Sequence, residues 1–257
     1  MATRLYVIAV SNPSSAAAAM IAHKRIPHRR MQLLPGAHPV LVRLAGFRRW
    51  TVPALDVDGR KVQGSRAISR ALDELRPDPP LHPADPELRR AVVEAERWGE
   101  SELQPVPRQV FRWLLTASPE MRRWFATEIM PLPAPAIGAP VAGPVARMLL
   151  ASEGADERTV RDRVARLPAL LDRVDALIAA GTIGGEAPNA ADFQIGASVR
   201  VLLEFEDLRG LVEGRPCASV ARQLFRNYPG PVPRGLPPEW LGPQLREGSA
   251  GIVASRE

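Results

Sequence analysis

The first part of the chain alternates short apolar runs with segments that have helical spacing. Residues 4–10 form a short apolar run rich in β-branched residues and predict a strand, and residues 29–34 predict a second strand. A turn cluster that begins at Ser11 ends in good helix caps and leads into a predicted helix over residues 16–25. Residues 39–46 are a candidate for a second, shorter helix. The chain therefore begins with the order β-α-β-α.

A hairpin and a third helix follow. Residues 52–57 and 60–63 have the composition of strands, and Asp58-Gly59 between them is a strong signal for a two-residue hairpin turn. Ser65 then caps a predicted helix in which apolar residues recur at helical spacing. Residues 1–76 therefore have the order β-α-β-α-β-β-α.

A proline-rich segment divides the chain. Residues 77–86 contain five prolines, which predicts a linker between two domains. Residues 87–227 are predicted to form an α-helical domain, and the proline-rich residues 228–257 an extended or disordered tail. Within the second domain we predict helices over residues 87–115, 157–180, 189–204 and 218–226.

One apolar stretch is long enough to raise the question of a membrane-spanning helix. Residues 129–146 are 18 consecutive positions without a charged side chain. Five of them are prolines, which would leave too many backbone groups unpaired in lipid. We therefore expect an apolar loop or broken helix packed on protein, and no membrane partner.

Length and composition are those of a globular chain with its own core. The chain has 257 residues, of which 46% are hydrophobic and 24% charged, and these values exclude wholesale disorder. The single cysteine, Cys217, excludes an intrachain disulfide and a multi-cysteine metal site, so we expect no metal. The N-terminal residues lack the basic and apolar regions of a signal peptide, which favours a cytoplasmic location.

The net charge of +6 does not by itself indicate a nucleic-acid partner. Of the 34 basic residues, Lys24 and Lys61 are lysines and the others are arginines, dispersed among acids without a block of like charge. We therefore expect no nucleic acid. Association through the arginines is the weaker alternative, and a steep salt dependence of binding would reveal it.

The order of elements and several short motifs together resemble the soluble glutathione S-transferase superfamily. Leu5-Tyr6 begins a first strand that leads into a serine-containing turn, and residues 51–55, Thr-Val-Pro-Ala-Leu, match a strand start of the family. Asp58-Gly59 through Ser65 matches its hairpin and third helix, and Ala191-Asp192 matches the cap of its central helix. The resemblance covers residues 4–226 and implies a thioredoxin-like α/β domain followed by an all-helical domain.

The resemblance also implies a chemistry, the conjugation or reduction of small electrophiles with glutathione. Proteins of this family bind the thiol tripeptide and favour its thiolate, which is the reactive form. Ser11 falls where some classes of the family carry a serine donor, so the resemblance implies that it stabilises the thiolate. Ser14 and Ser15 are competing candidates. All three hydroxyls also suit ordinary turn and helix-cap chemistry.

The resemblance further implies how the thiol is held. The family's peptide bond before Pro53 is cis, and Val52 would pair with the tripeptide backbone by strand addition. Ser65, at a helix N-terminus, would bind a carboxylate. Here the sequence departs from the family, because Gly64 replaces the usual acid or glutamine and Arg66 follows Ser65. The missing acid and the added Arg66 weaken the contact to the amino group of the tripeptide and strengthen the contact to an anionic group. Another low-molecular-weight thiol, another acidic ligand, no thiol at all and a plain helix cap therefore stay open.

The resemblance leaves the second ligand and the assembly less defined. It implies an electrophile site between the domains, lined by the first-strand turn and by a helix that carries Trp98, Trp113 and Trp124, although tryptophans are more often core residues. Cys217 is expected to be buried and inert. A homodimer is implied, with the first domain of one subunit against the helical domain of the other. The alternative is a non-catalytic ligand-binding or scaffold protein that retains the fold.

Overall fold

The computed structural model describes residues 2–129, 135–226 and 230–242, and for residues 135–141 it describes the backbone alone. The N-terminal part contains one sheet of four strands in the order β2-β1-β3-β4, in which β1 is parallel to β2 and antiparallel to β3. The strands are β1 (Thr3–Ile8), β2 (Arg29–Leu33), β3 (Ala54–Val57) and β4 (Arg60–Gln63), and the helices are α1 (Asn12–His23), α2 (His38–Leu44) and α3 (Ser65–Leu75).

Two cores hold this domain together, one on each face of the sheet. On one face, α1 and α3 cover the sheet with side chains such as Ile21 and Leu72, which pack against Leu5 of β1. On the other face, Tyr6 and Phe47 meet edge to edge with ring centroids 5.3 Å apart. The sheet is therefore covered on both faces, as a thioredoxin-like domain requires.

Helix α1 begins four residues earlier than the sequence predicts. Ser11 is its N-cap residue, and Pro13 lies in the first turn. Proline is tolerated there because the first backbone N–H groups of a helix have no partner within the helix. The turn cluster therefore is the start of the helix, which places Ser11 directly after the end of β1.

The second part of the chain is helical. Its helices are α4 (Pro86–Trp98), α5 (Pro105–Ala117), α6 (Pro119–Trp124), α7 (Pro135–Ser152), α8 (Glu157–Ala179), α9 (Ala190–Glu204), α10 (Arg209–Val212) and α11 (Pro216–Leu224), with π-helical segments at Gly99–Leu103 and Phe125–Ile129. Helix α9 is central and almost wholly buried. It begins with a capping box in which the Asp192 carboxylate accepts from the Asn189 N–H at 2.9 Å.

The structure corrects the expectation for residues 129–146. Helix α7 covers most of this stretch, and residues 130–134 lie outside the described residues. A Cβ on Gly143 would lie 3.3 Å from Cδ of Arg122 and 3.4 Å from the carbonyl oxygen of Leu115. Glycine at this point therefore allows α7 to pack closely on its neighbours. The prolines had led us to expect a loop or a broken helix here. No helix in the described part of the chain is long and apolar enough to cross a membrane.

The structure also corrects part of the expectation for the tail. Residues 230–242 pack on the helical domain, where the Val232 N–H donates to the Glu204 carbonyl at 2.7 Å. Trp240 is buried, and its ring centroid lies 4.5 Å from that of Trp113. Burial of these apolar side chains outweighs the local preference for disorder. Residues 228, 229 and 243–257 lie outside the described residues.

Candidate functional site

A cavity of about 480 Å³ lies where the α/β domain meets the helical domain. One side is formed by the segment that joins β1 to α1, by residues 51–53 and by the start of α3. The opposite side is formed by α5 and α7. The two parts of the chain are fixed together beside it, because the Asn12 amide donates to the Gln104 carbonyl at 3.2 Å and to the Ser198 hydroxyl at 3.0 Å.

Ser11 is half-buried and lines this cavity. Its backbone is extended, and its hydroxyl oxygen accepts from the Ser14 N–H at 3.4 Å, so the side chain caps α1. Within the described part of the chain the Ser11 hydroxyl donates to no other residue. The proton is therefore free for a ligand atom, next to the positive end of the α1 dipole.

The other two candidate serines lie differently. The Ser14 side chain is buried, and its hydroxyl accepts from the Ile8 N–H at 3.4 Å. Ser15 is half-buried in the first turn of α1. Neither residue lines the cavity, so of the three serines Ser11 is the one that can meet a ligand there.

Val52, Pro53, Gly64 and Ser65 line the cavity together. The Val52–Pro53 peptide bond is cis, and the Gly64 N–H donates to the Pro53 carbonyl at 3.0 Å. Among the described residues, neither backbone polar group of Val52 has a hydrogen-bond partner. The arrangement therefore offers one unpaired N–H and one unpaired carbonyl to an extended ligand.

The start of α3 has no capping side chain, because its N-cap residue is Gly64, with φ of +93°. Ser65 is buried, and its hydroxyl has no partner within the described residues. The first N–H groups of a helix are natural donors to an anion. This end of the cavity can therefore bind a carboxylate.

Arg66 does not line the cavity, but it contacts a residue that does. Its Nη1 donates to Oε2 of Glu100 at 2.9 Å, and Glu100 lies in the π-helical segment that follows α4. Gln63 is also turned away from the cavity: its amide donates to the carbonyls of Arg49 and Thr51 at 3.0 and 3.1 Å. The carboxylate near the start of α3 therefore comes from the helical domain.

The wall formed by α5 and α7 has an apolar part and a charged part. Phe111, Leu115 and Leu149 form the apolar part, and Arg108, Arg112 and Glu153 form the charged part. His38, at the start of α2, faces the charged part. Burial, together with the charge of Arg112, lowers the pKa of His38 to about 4, so the imidazole is neutral.

Of the two roles left open for Trp98, Trp113 and Trp124, packing in the core or contact with a ligand, the structure favours packing, because none of the three lines the cavity. Trp98 is buried beneath Arg173, whose guanidinium carbon lies 4.8 Å from its ring, and Trp113 packs on Trp240. Trp124 stacks edge-on against Phe111, with ring centroids 6.4 Å apart, outside the cavity lining. All three belong to the core of the helical domain or to its edge.

The charged wall was missed by the sequence analysis, although part of it has a signal in the sequence. Arg108, Phe111, Arg112 and Leu115 are spaced as i, i+3, i+4 and i+7, and so form one face of α5. The opposite face carries the core residues. Glu153 is 38 positions beyond Leu115 and joins this face through tertiary packing of α7 on α5, which no local pattern indicates.

Cys217 takes no part in this site. It is buried between α11 and α8, and its backbone N–H donates to the Asp175 carboxylate at 3.0 Å. Burial, with the charge of Asp175, raises the pKa of the Cys217 thiol to about 12. No cluster of side chains in the described ranges 2–129, 135–226 and 230–242 suits a metal ion.

Comparison with known proteins agrees with this architecture. Residues 5–80 match the family "Glutathione S-transferase, N-terminal domain". No curated protein matches the sequence.

Three solved structures are similar over most of their length. The β-etherase LigF from Sphingobium sp. strain SYK-6 has 18% identity and a TM-score of 0.59, with 88% of this chain and 99% of that chain covered. A glutathione S-transferase from Rhodospirillum rubrum F11 has 19% identity and a TM-score of 0.57, with 93% and 98% covered. The glutathione S-transferase CsGST63524 of Ceriporiopsis subvermispora, solved in complex with glutathione, has 18% identity and a TM-score of 0.58, with 87% and 95% covered.

At these identities the structural matches establish the fold, and the family match identifies the N-terminal domain. Together they confirm the thioredoxin-like domain and the helical domain that follows it. Residues 5–80 are therefore a glutathione S-transferase N-terminal domain, and the chain as a whole has the fold of the glutathione S-transferases.

Proposed function

We propose that this protein is a glutathione S-transferase-like enzyme that conjugates or reduces small electrophiles with glutathione or another low-molecular-weight thiol. The observation that carries the proposal is the convergence of three separate segments on one side of the cavity. These are the Ser11 hydroxyl, the unpaired backbone of Val52 and the uncapped start of α3 at Ser65. Each offers the chemistry that one part of a thiol tripeptide needs.

In this proposal Ser11 lowers the pKa of the bound thiol. Its hydroxyl donates to the sulfur, and the N-terminus of α1 adds a favourable dipole. A hydrogen bond to a charged partner contributes roughly 1.5–3 kcal/mol, which corresponds to about one to two pKa units. The thiol proton leaves to solvent, and the thiolate attacks an electrophilic carbon. A carbon–sulfur bond forms as the leaving group departs with its electron pair.

The peptide part of the thiol is held by main-chain and helix-terminus contacts. Val52 pairs with the cysteinyl residue by strand addition, and Ser65 with the α3 N-terminus binds the γ-glutamyl carboxylate. Gly64 carries no side chain, and a Cβ there would have no heavy atom within 4 Å, so this position leaves room for the ligand. Glu100 binds the amino group of the tripeptide in place of the acid that Gly64 replaces. Arg66 positions Glu100, since its Nη1 donates to Oε2 of Glu100 at 2.9 Å.

The thiol contacts predict which ligands protect the protein against thermal unfolding. Glutathione and S-methylglutathione share the γ-glutamyl end, so both should raise the midpoint of unfolding. Cysteinylglycine lacks that end and is the matched control, so it should raise the midpoint much less. Equal protection by all three ligands, or protection by none, would contradict the proposed site.

The alternative function is a non-catalytic binding protein with the same fold. It is favoured by the position of Gln63, whose amide is fully engaged with the Arg49–Thr51 segment and does not reach the cavity. Turnover separates the two functions. Protection by glutathione without conjugation of any aryl halide would favour the binding protein, and conjugation would exclude it.

A further inference from the structure

The half of the cavity opposite Ser11 is built from two helical stripes. Helix α5 contributes Arg108, Phe111 and Arg112, α7 contributes Leu149, and Glu153 directly follows the end of α7. Phe111 is fixed by an edge-to-face contact with Phe125, with ring centroids 5.7 Å apart. An apolar surface and a charged surface therefore lie side by side in one cavity.

The charges on this surface do not cancel. The Nε of Arg108 lies 3.1 Å from Oε1 of Glu153, and Arg112 forms an ion pair with the same oxygen. The other carboxylate oxygen accepts from the Gln109 amide at 3.3 Å. One carboxylate therefore serves two guanidinium groups and one amide. One positive charge is left over, in a place where the Arg112 side chain is 18% exposed.

Further polar groups on the same cavity have no partner. His38 and Gln104 are each 8% exposed, and both line the cavity. Within the described residues, Nδ1 of His38 and the side-chain oxygen of Gln104 make no hydrogen bond. Buried polar atoms are nearly always paired, so unpaired ones in a cavity wall indicate the position of polar ligand groups: Nδ1 of His38 can donate to an acid, whereas the Gln104 oxygen can only accept from a ligand donor.

We propose that the electrophile is an organic acid: a small molecule whose carboxylate is bound by Arg112 and Arg108 while its apolar body lies against Phe111 and Leu149. The planar guanidinium group is suited to a carboxylate because it can donate two parallel hydrogen bonds. The excess charge stabilises an anion, and the adjoining apolar surface requires a body larger than acetate. This inference rests on the proposed function, since it defines the substrate class of the same site.

Binding of the acid can be tested separately from binding of the thiol, because the two ligands contact different halves of the cavity. Ser11, Val52 and Ser65 belong to the α/β domain, whereas Arg108 and Arg112 belong to α5. Recognition of the carboxylate can therefore be measured with an unreactive compound, one that has no leaving group. 3,5-Dinitrobenzoate and its methyl ester have the same ring and differ in charge, and neither reacts with a thiol by loss of halide.

The test measures the affinity of both compounds for the wild type and for two variants, one that removes a positive charge and one that removes a negative charge. The wild type should bind the acid about tenfold more tightly than the ester. Arg112→Gln should lower the affinity for the acid about tenfold and leave the affinity for the ester unchanged. Glu153→Gln should raise the affinity for the acid, because both guanidinium groups then lose their ion-pair partner. Arg166→Gln removes an equal charge from a residue 64% exposed and outside the cavity, so it should change neither affinity.

The opposite sign of the two variants distinguishes recognition from a structural ion pair. If Arg112 and Glu153 only held α5 to α7, both variants would weaken acid and ester alike, and the proposal would be overturned. Equal binding of acid and ester by the wild type would overturn it as well, whether or not the variants fold. Failure of the proposed function has a different signature, because glutathione would then give no thermal protection while the acid still bound.

Discussion

Nδ1 of His82 lies 2.8 Å from Oδ2 of Asp73, and Nε2 of the same ring lies 3.3 Å from Oε2 of Glu96. The imidazole thus bridges a carboxylate of α3 and a carboxylate of α4. Lys24, whose side chain is fully buried, also pairs with Asp73, and Arg70 pairs with Glu96 at 3.2 Å. This cluster joins α1, α3, the linker and α4, so the contact between the two domains is charged as well as apolar.

We predict that stability decreases as the pH rises through the pKa of His82. Burial disfavours the charged imidazole, but its hydrogen bonds with Asp73 and Glu96 and their negative charges outweigh burial and raise the pKa of His82 above 6.5. A raised folded-state pKa stabilises the fold fully below the unfolded value, and this contribution is lost above the raised value. Denaturation in urea between about pH 6 and pH 9 should show the decrease.

The control for this prediction is His82→Gln, which keeps two hydrogen-bonding atoms and removes the titration. It should flatten the pH dependence across that range while costing stability at the acidic end. A variant with the same slope as the wild type would show that other groups cause the dependence. Asp73 is the opposite case, because hydrogen bonds from His82 and Lys24 outweigh burial and lower its pKa to about 2, so its contribution is lost only in strong acid.

Cys217→Ser should leave thiol binding and turnover nearly unchanged. The thiol is buried, and burial with the Asp175 charge raises its pKa to about 12, so it is neither nucleophilic nor near Ser11. A buried hydroxyl should lower the free energy of unfolding by about 1–3 kcal/mol. Iodoacetamide should label the wild-type protein only after unfolding. Loss of turnover at unchanged stability would place the chemistry elsewhere.

The predicted homodimer can be tested by mass in solution. Light scattering should give twice the 28.0 kDa mass of one chain at micromolar concentration. Leu44 and Trp50 are large apolar side chains of the α/β domain with exposures of 79% and 59%, so Leu44→Glu should weaken a dimer that uses this face. A 28.0 kDa particle in the wild type would contradict the prediction.

Much of the α/β domain and the position of Ser11 follow from the sequence because their signals are local. An apolar run with β-branched residues specifies β1, and Asp58-Gly59 specifies the hairpin, with Asp58 and Gly59 at positive φ. The capping box at Asn189 and Asp192 marks the start of α9 equally well. In each case a few neighbouring residues determine the backbone.

The features that the sequence analysis missed depend on distant contacts. Helix α7 contains prolines that favour a break, yet Gly143 allows it to pack within contact distance of Arg122 and Leu115. The segment around Trp240 has little periodicity, but Trp113 supplies a surface to bury it. The charged wall forms only when α7 brings Glu153 to Arg112, so its chemistry cannot be recognised from either helix alone.

Ser11→Ala is the substitution that tests the proposed mechanism most directly. If Ser11 stabilises the thiolate, turnover with 1-chloro-2,4-dinitrobenzene should fall about ten- to a hundredfold, the rate equivalent of losing roughly 1.5–3 kcal/mol. The affinity for glutathione should fall much less, because Val52 and Ser65 still hold the peptide. The pH–rate profile should shift to alkaline values, since the thiol would then need a higher pH to ionise.

Two matched variants separate this role from the helix cap. Ser11 also caps α1, and loss of a cap costs about 0.5–2 kcal/mol of stability. Ser11→Thr retains both the cap and the donor and should retain turnover within a few-fold, while Ser15→Ala, one turn further along α1 and outside the cavity lining, should change neither stability nor rate by much. If Ser11→Ala turned over as fast as the wild type, Ser11 would be removed from the mechanism. If the wild type bound glutathione but catalysed no conjugation, the non-catalytic binding protein would be favoured instead. In that case the Ser11 hydroxyl would contribute to binding of the sulfur and not to a reaction.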